Sequence, residues 1–245
     1  IKASSENTVV IEDAEIRRSV YGGASDGYGD PALGNVSSCS VELNRVKVDS
    51  FAYGGKATNG NVTGCNITFT DGTIGQMLLG GYGTGLMSQN SVKMTGGEVG
   101  SFVYGGYSRY GDAVGNVAEV SGGVVKGGVK GGYVQYDKGG AATGNKAIIS
   151  GGIVNAHGGD LSAAIGCSVG DSCGEIKISG GTINAVGGPG TYGAGRVAAI
   201  TSSVKAPVIT GGTVKCNEAV STRAASLASA SASPTPAALN LLLRS

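Results

Sequence analysis

Apolar and polar positions alternate in short runs along this chain, and the runs recur. Each ends in a bulky apolar residue, passes through a tight turn that is most often Ser/Thr-Gly-Gly, and resumes at another β-branched residue. Taking the first glycine-like position of each turn as a marker gives Asp13, Arg45, Asp71, Gly96, Gly122, Gly151, Gly180 and Gly211, spaced by 32, 26, 25, 26, 29, 29 and 31 residues. Two positions before the markers stand Ile11, Leu43, Phe69, Met94, Val120, Ile149, Ile178 and Ile209. Three positions after them stand Ile16, Val48, Ile74, Val99, Val125, Val154, Ile183 and Val214. All of these sites are apolar. Four positions before the markers come Val9, Val41, Ile67, Val92, Ala118, Ala147, Ile176 and Pro207, so the run into the turn has the period of two that marks a strand.

A repeat of this length belongs to solenoids; propeller blades need roughly 40 to 50 residues. Helical solenoids are excluded by the abundance of Gly, Val, Ile, Thr and Ser. The pattern predicts an all-β fold, a parallel β-solenoid (β-helix) of about eight coils over residues 1–217, with an Ala/Ser/Pro-rich non-repeat tail over 218–245. At about 4.8 Å per coil the rod is roughly 35 to 40 Å long.

A second glycine pair follows each of the first seven markers: Gly22-Gly23, Gly54-Gly55, Gly80-Gly81, Gly105-Gly106, Gly131-Gly132, Gly158-Gly159 and Gly187-Gly188. These pairs are expected to supply positive φ at corners and to let successive coils approach closely. Asp13 and Asp71 suit a left-handed marker position, whereas Arg45 does not and predicts distorted early coils. Variable loops return to a Gly-Asn step at Gly34-Asn35, Gly60-Asn61, Gly115-Asn116 and Gly144-Asn145, a turn feeding the next strand whose stacked Asn side chains can bond between coils.

Net charge is +1 with no basic run, which removes the electrostatic footprint of a nucleic-acid binder. The terminal apolar stretch 239–244 is too short for a transmembrane segment, which takes about 20 residues. Of the five cysteines, Cys39 and Cys65 both lie six residues before their markers, in one column on adjacent coils, and are disulfide candidates; Cys167 and Cys173 close a short loop and are a second pair. Buried free thiols are the alternative for both, and oxidised pairs would imply an exported protein.

Tyr82, Tyr107 and Tyr133 each sit eleven residues after a marker on consecutive coils, and Tyr21, Tyr53 and Tyr104 form a broken second column eight residues after theirs. These six are the candidate binding residues. Their rings either receive sugars or hold the coils in register as a structural ladder. No catalytic set is read: His157 is the one histidine, placed before a glycine pair as a corner filler, and Asp160 and Asp171 form no repeat-related carboxylate pair. Asp26, Asp30 and Asp112 read as turn residues, so no metal site and no cofactor is assigned.

The segments Asn90 to Gly97, Phe102-Val103-Tyr104-Gly105-Gly106-Tyr107-Ser108 and Gly111-Asp112-Ala113-Val114-Gly115-Asn116 resemble the VYGGYS…GDAxGN…ISGG repeats of bacterial autotransporter and adhesin-like passenger domains. The resemblance spans about residues 7–217, although the first two repeats lack the Gly-Gly marker and the seventh lacks Tyr-Gly-Gly. It implies a secreted or cell-surface module, on a bacterial outer surface, that binds host or neighbouring-cell glycans or proteins. A second class is a structural subunit that self-associates end to end through unpaired strand edges. A polysaccharide lyase or glycoside hydrolase is the least supported class.

Overall fold

A computed structural model describes residues 4–27, 34–135, 139–159, 162–166, 174–189, 198–202, 205–216 and 242–243. They form a parallel β-solenoid with four faces, and the described residues contain no α-helix. Coil four shows the plan: Met87–Ser88 lies in sheet 1, Ser91–Met94 in sheet 2, Glu98–Val99 in sheet 3 and Val103–Ser108 in sheet 4. Every strand pairs in parallel with its counterparts above and below, so Ile67 lies between Val41 and Val92, and Ile74 between Val48 and Val99. Sheets 1 to 4 contain six, eight, nine and seven strands. Sheet 2 therefore records the eight expected coils, and six of them carry a strand on all four faces. The ninth strand of sheet 3 is Leu242–Leu243, beside Lys215 and Cys216.

The apolar columns are the reason the coils stack. Of the sixteen sites two before and three after the markers, all are buried in one continuous core except Ile11, Ile16 and Ile209, which pack against it half-buried at the ends. Each fully buried Val or Ile contributes about 1.5–3 kcal/mol, available only when a neighbouring coil covers it. A second inner cluster, which includes Val36, Val62, Met87, Ala113 and Ala142, fills the space between sheet 1 and the end of sheet 4.

Three expectations about the turns change. Left-handed backbone falls on the second glycine of the marker pair, as at Gly97 (φ +73°) and Gly123 (φ +81°), and on the marker itself at Asp13 and Arg45 (φ 51° and 50°). Arg45 does not distort the early coils, whose registers continue unbroken from Glu12 against Asn44 to Glu15 against Lys47. Its Nε and Nη2 donate to the Asp13 carboxylate at 2.6 and 2.7 Å, which helps hold the unfavourable conformation.

The glycine pairs of sheet 4 stand inside strands, and none has positive φ. They are required by close approach: a Cβ on Gly80 would lie 2.5 Å from the Gly105 carbonyl oxygen, and one on Gly106 2.6 Å from the Asn116 side-chain amide. The pairs at 158–159 and 187–188 are not equivalents. His157 ends the sheet 3 strand Ile153–His157, where it is exposed and pairs in register with Val186, so it fills no buried corner.

Candidate functional site

Sheet 4 carries the chemistry because its pairing skips the first glycine of each pair. Tyr104 is opposite Lys130 and Gly106 opposite Gly132, with Gly105 and Gly131 passed over. That extra residue resets the in–out alternation, so Tyr104 and Tyr107 both join one cluster outside the main core while Val103 lies in it. Two columns result on the outer face. One runs Tyr21, Tyr53, Leu79, Tyr104, Lys130, and the other Ala24, Lys56, Tyr82, Tyr107, Tyr133. Phe51, Met77 and Phe102, from the turns entering the sheet, pack against Tyr53, Leu79 and Tyr104 of the first column.

All six predicted tyrosines are therefore brought together. Tyr53 and Tyr104 are buried at 5% and 4% exposure, Tyr21 is 39% exposed, and Tyr82, Tyr107 and Tyr133 are half-buried. Among the described tyrosine pairs the expected stack of ring faces occurs between Tyr21 and Tyr53, with centroids 5.2 Å apart and planes at 6°. Tyr82, Tyr107 and Tyr133 stand edge to face, at 5.3 and 4.9 Å and 85° in both contacts. The ring quadrupole disfavours a face-to-face sandwich at coil spacing, so adjacent rings turn. Burial first, then neighbouring phenols, raises Tyr53 and Tyr104 well above the ordinary value, and Tyr107 from 10.0 to about 12. These hydroxyls stay protonated and able to donate at neutral pH.

Two cations interleave with the rings and were missed in the sequence, although both occupy the tyrosine columns. The Lys56 ammonium lies 5.4 Å from the Tyr21 centroid and 5.5 Å from that of Tyr53. Lys130, 1% exposed, lies 4.6 Å from the Tyr133 centroid and 5.7 Å from that of Phe102, and its Nζ donates to Ser162 Oγ. Arg109 follows the coil-four strand, with its guanidinium 5.4 Å from the Tyr110 ring. Such contacts are worth about 0.5–2 kcal/mol, more where water is excluded.

Behind the glycine pairs runs a polar ladder, six residues before each of the first six markers: Asn7, Cys39, Cys65, Asn90, Asn116 and Asn145. Each rung follows a left-handed residue, Glu6, Ser38, Gly64, Gln89, Gly115 or Gly144, with φ from 55° to 65°. Asn116 Oδ1 accepts the Asn90 backbone N–H and its side-chain Nδ2–H, both at 3.0 Å, and Asn145 Oδ1 does the same for Asn116 at 2.9 and 3.0 Å. The remaining Nδ2 hydrogens of Asn90, Asn116 and Asn145 go to the carbonyls of Val62, Met87 and Ala113. A shorter outer ladder uses Asn35 for the Asn61 N–H, Asn61 for the Leu86 N–H and Asp112 for the Ala141 N–H.

Cys39 and Cys65 do share one column on adjacent coils, but as free, fully buried thiols. They fill rungs of the ladder: Cys39 N–H points at Cys65 Sγ (3.5 Å), Cys65 N–H donates to Asn90 Oδ1 (2.9 Å), and the Cys39 thiol reaches the Ser37 carbonyl (3.4 Å). Burial pushes the Cys65 thiol up from 9.0 to about 12. Cys167 and Cys173, with Asp30, Asp160 and Asp171, lie outside the described residues.

Among the described residues no group of three or more His, Cys, Asp or Glu stands together as a metal site. The groove on the outer face of sheet 2, beside Glu12, Glu42 and Thr70, has a volume of about 150 Å³. That is small against the roughly 300–1,000 Å³ of sites that enclose a small molecule. No described helix is long and apolar enough to cross a membrane. Compared with family models, with curated proteins and with solved structures, the chain gives no match. Fold and site chemistry carry the functional reading.

Proposed function

We propose that this chain is a non-catalytic, adhesin-like module of an extracellular or cell surface, and that the outer face of sheet 4 receives glycans or a protein partner. The observation that carries this is the continuous outward cluster of Tyr21, Tyr53, Tyr82, Tyr104, Tyr107 and Tyr133 with Phe51, Met77 and Phe102, on a face that repeats every coil. Tyr21 is 39% exposed and Tyr82, Tyr107 and Tyr133 are half-buried, so ring surface remains at solvent, and a recognition surface gains amphipathic contact area from it. Repetition makes the surface multivalent: weak contacts per coil combine along one ligand chain.

The test is a glycan array probed with the wild type and with Tyr21→Ala, Tyr82→Ala and Tyr107→Ala, each checked for unchanged far-ultraviolet circular dichroism. Binding that the variants weaken supports the reading. An array without hits, together with a partner screen unaffected by the variants, removes it.

End-to-end assembly is the second reading, favoured by the first coil. The outward Val10 of its Thr8–Glu12 strand is 60% exposed, and among the described residues this strand pairs on one side only. Electron microscopy with and without residues 219–245 decides it: filaments in either sample favour assembly, and single rods in both oppose it.

A further inference from the structure

The strands of sheet 4, from Val20–Ser25 to Ile200–Thr201, contain no Asp or Glu. Acidic side chains lie on the other faces, as Glu42 and Glu119 on sheet 2 and Glu15 and Glu98 on sheet 3 do. On sheet 3, Lys47 pairs with Glu15 at 3.8 Å, and Lys126, one residue past the strand Val124–Val125, pairs with Glu98. Among the described residues no carboxylate lies within ion-pair distance of Lys56 or Arg109.

Lys56 is half-buried, held by its stem and ammonium against Tyr21 and Tyr53 on coils one and two. Arg109 is exposed on coil four, and its positive charge acts on the Tyr107 hydroxyl, favouring the ionised form against the larger effect of burial. Arg109 directly follows the sheet 4 strand Val103–Ser108 and so lies two coils from Lys56, about 10 Å along the rod at about 4.8 Å per coil. Between them lie the half-buried Tyr82 and Tyr107 rings.

We infer that the ligand of this face is an acidic polysaccharide lying along the rod, with its carboxylates on Lys56 and Arg109 and its pyranose C–H faces against the tyrosines. This rests on the binding role proposed for sheet 4 and adds the chemical class of the ligand. A neutral glycan would use the rings but leave both cations unanswered. A carboxylate polymer meets rings and charges with one repeating unit, and the protonated phenols donate hydrogen bonds to its hydroxyls and carboxylates.

Titration of the whole chain with an oligogalacturonate, and with its fully methyl-esterified form of equal length, tests the inference, because esterification removes the charge and keeps the sugar rings. The acid form is expected to bind and to weaken as salt rises, and the ester to bind at least tenfold more weakly. Lys56→Gln and Arg109→Gln each lower acid-form affinity about fivefold, the equivalent of about 1 kcal/mol for an exposed ion pair. Lys93→Gln, on sheet 2, leaves it unchanged. Both glutamine substitutions keep a polar stem, and unaltered melting confirms that the fold is intact. Equal binding of acid and ester, insensitive to the two substitutions but lost in Tyr82→Ala, overturns the acidic-ligand inference and leaves the glycan-binding reading standing. Binding of neither form overturns the inference, and the glycan array then decides the reading beneath it.

Discussion

Replacing Asn116 by alanine removes one rung of the buried ladder, and the cost can be worked from its partners. The Asn90 backbone N–H loses its acceptor at 3.0 Å, the Asn90 side chain loses a second bond to the same oxygen, and the Met87 carbonyl loses a donor at 2.8 Å. Asn145 Oδ1 keeps the Asn116 backbone N–H and loses the side-chain donor. Water cannot substitute, since Asn90 and Asn116 are both fully buried. One orphaned N–H costs about 1–3 kcal/mol and each of the three further lost bonds about 0.5–1.5 kcal/mol, for a total near 5 kcal/mol. For a chain of this size that lowers Tm by about 10 °C. The assay is thermal unfolding followed by far-ultraviolet circular dichroism, with Thr95→Ala on the exposed turn as the control. A drop for Asn116→Ala no larger than the control's, within about 2 °C, would refute the reasoning, since it would mean that the ladder merely accompanies the fold.

Glycines of two kinds separate in the same assay. Gly106→Ala places a Cβ 2.6 Å from the Asn116 amide and is expected to cost more than about 3 kcal/mol, whereas Gly115→Ala meets nothing within 4 Å and pays only the left-handed penalty at φ +64°, about 1–2 kcal/mol. Cys65→Asn should stabilise by about 1 kcal/mol, because the Cys39 N–H exchanges a sulfur at 3.5 Å for an amide oxygen, and Gly55 leaves the space that Gly81 leaves for Asn90; a lower urea midpoint would contradict it. Stability should also fall in alkali. Burial raises Cys65 from 9.0 to about 12, Cys216 from 9.0 to about 11 and Tyr107 from 10.0 to about 12, so the folded chain retains protons that the unfolded chain releases. The contribution is complete below about pH 9 and is lost as pH rises towards 12, and urea midpoints that hold steady across that window would count against it.

The columns legible in the sequence were those built on the inward apolar period. Leu43, Phe69 and Met94, and Val48, Ile74 and Val99, lie buried one above another as their spacing implies. The same arithmetic brought Cys39 under Cys65 and Tyr82 under Tyr107. Counting six residues back from every marker would have exposed the whole ladder from Asn7 to Asn145, with the cysteines as two of its rungs. Side-chain orientation was beyond that arithmetic, because ring angles follow from local quadrupole packing. The glycine pairs misled for a physical reason: Gly105-Gly106 and a corner Gly-Gly look alike in sequence, yet one serves a carbonyl and a buried amide passing close by, and the other a left-handed turn. The pairs at 158–159 and 187–188 share the letters but lie just past the lengthened sheet 3 strands Ile153–His157 and Thr182–Val186, which no composition signal marks.

In-register stacking of the coils underlies both the buried ladder and the alignment of the sheet 4 tyrosines. Amide hydrogen exchange read residue by residue by NMR tests it most directly. The Cys65, Asn90 and Asn116 amides sit at corners, where exchange is ordinarily fast, yet each is sealed by a side chain of the next coil at 2.9 to 3.0 Å. The account predicts protection at these three as strong as at the strand amides of Val92 and Ala118. Exchange at the rate of the exposed bend residues Arg17 and Arg18, whose amides meet no backbone acceptor among the described residues, would contradict it.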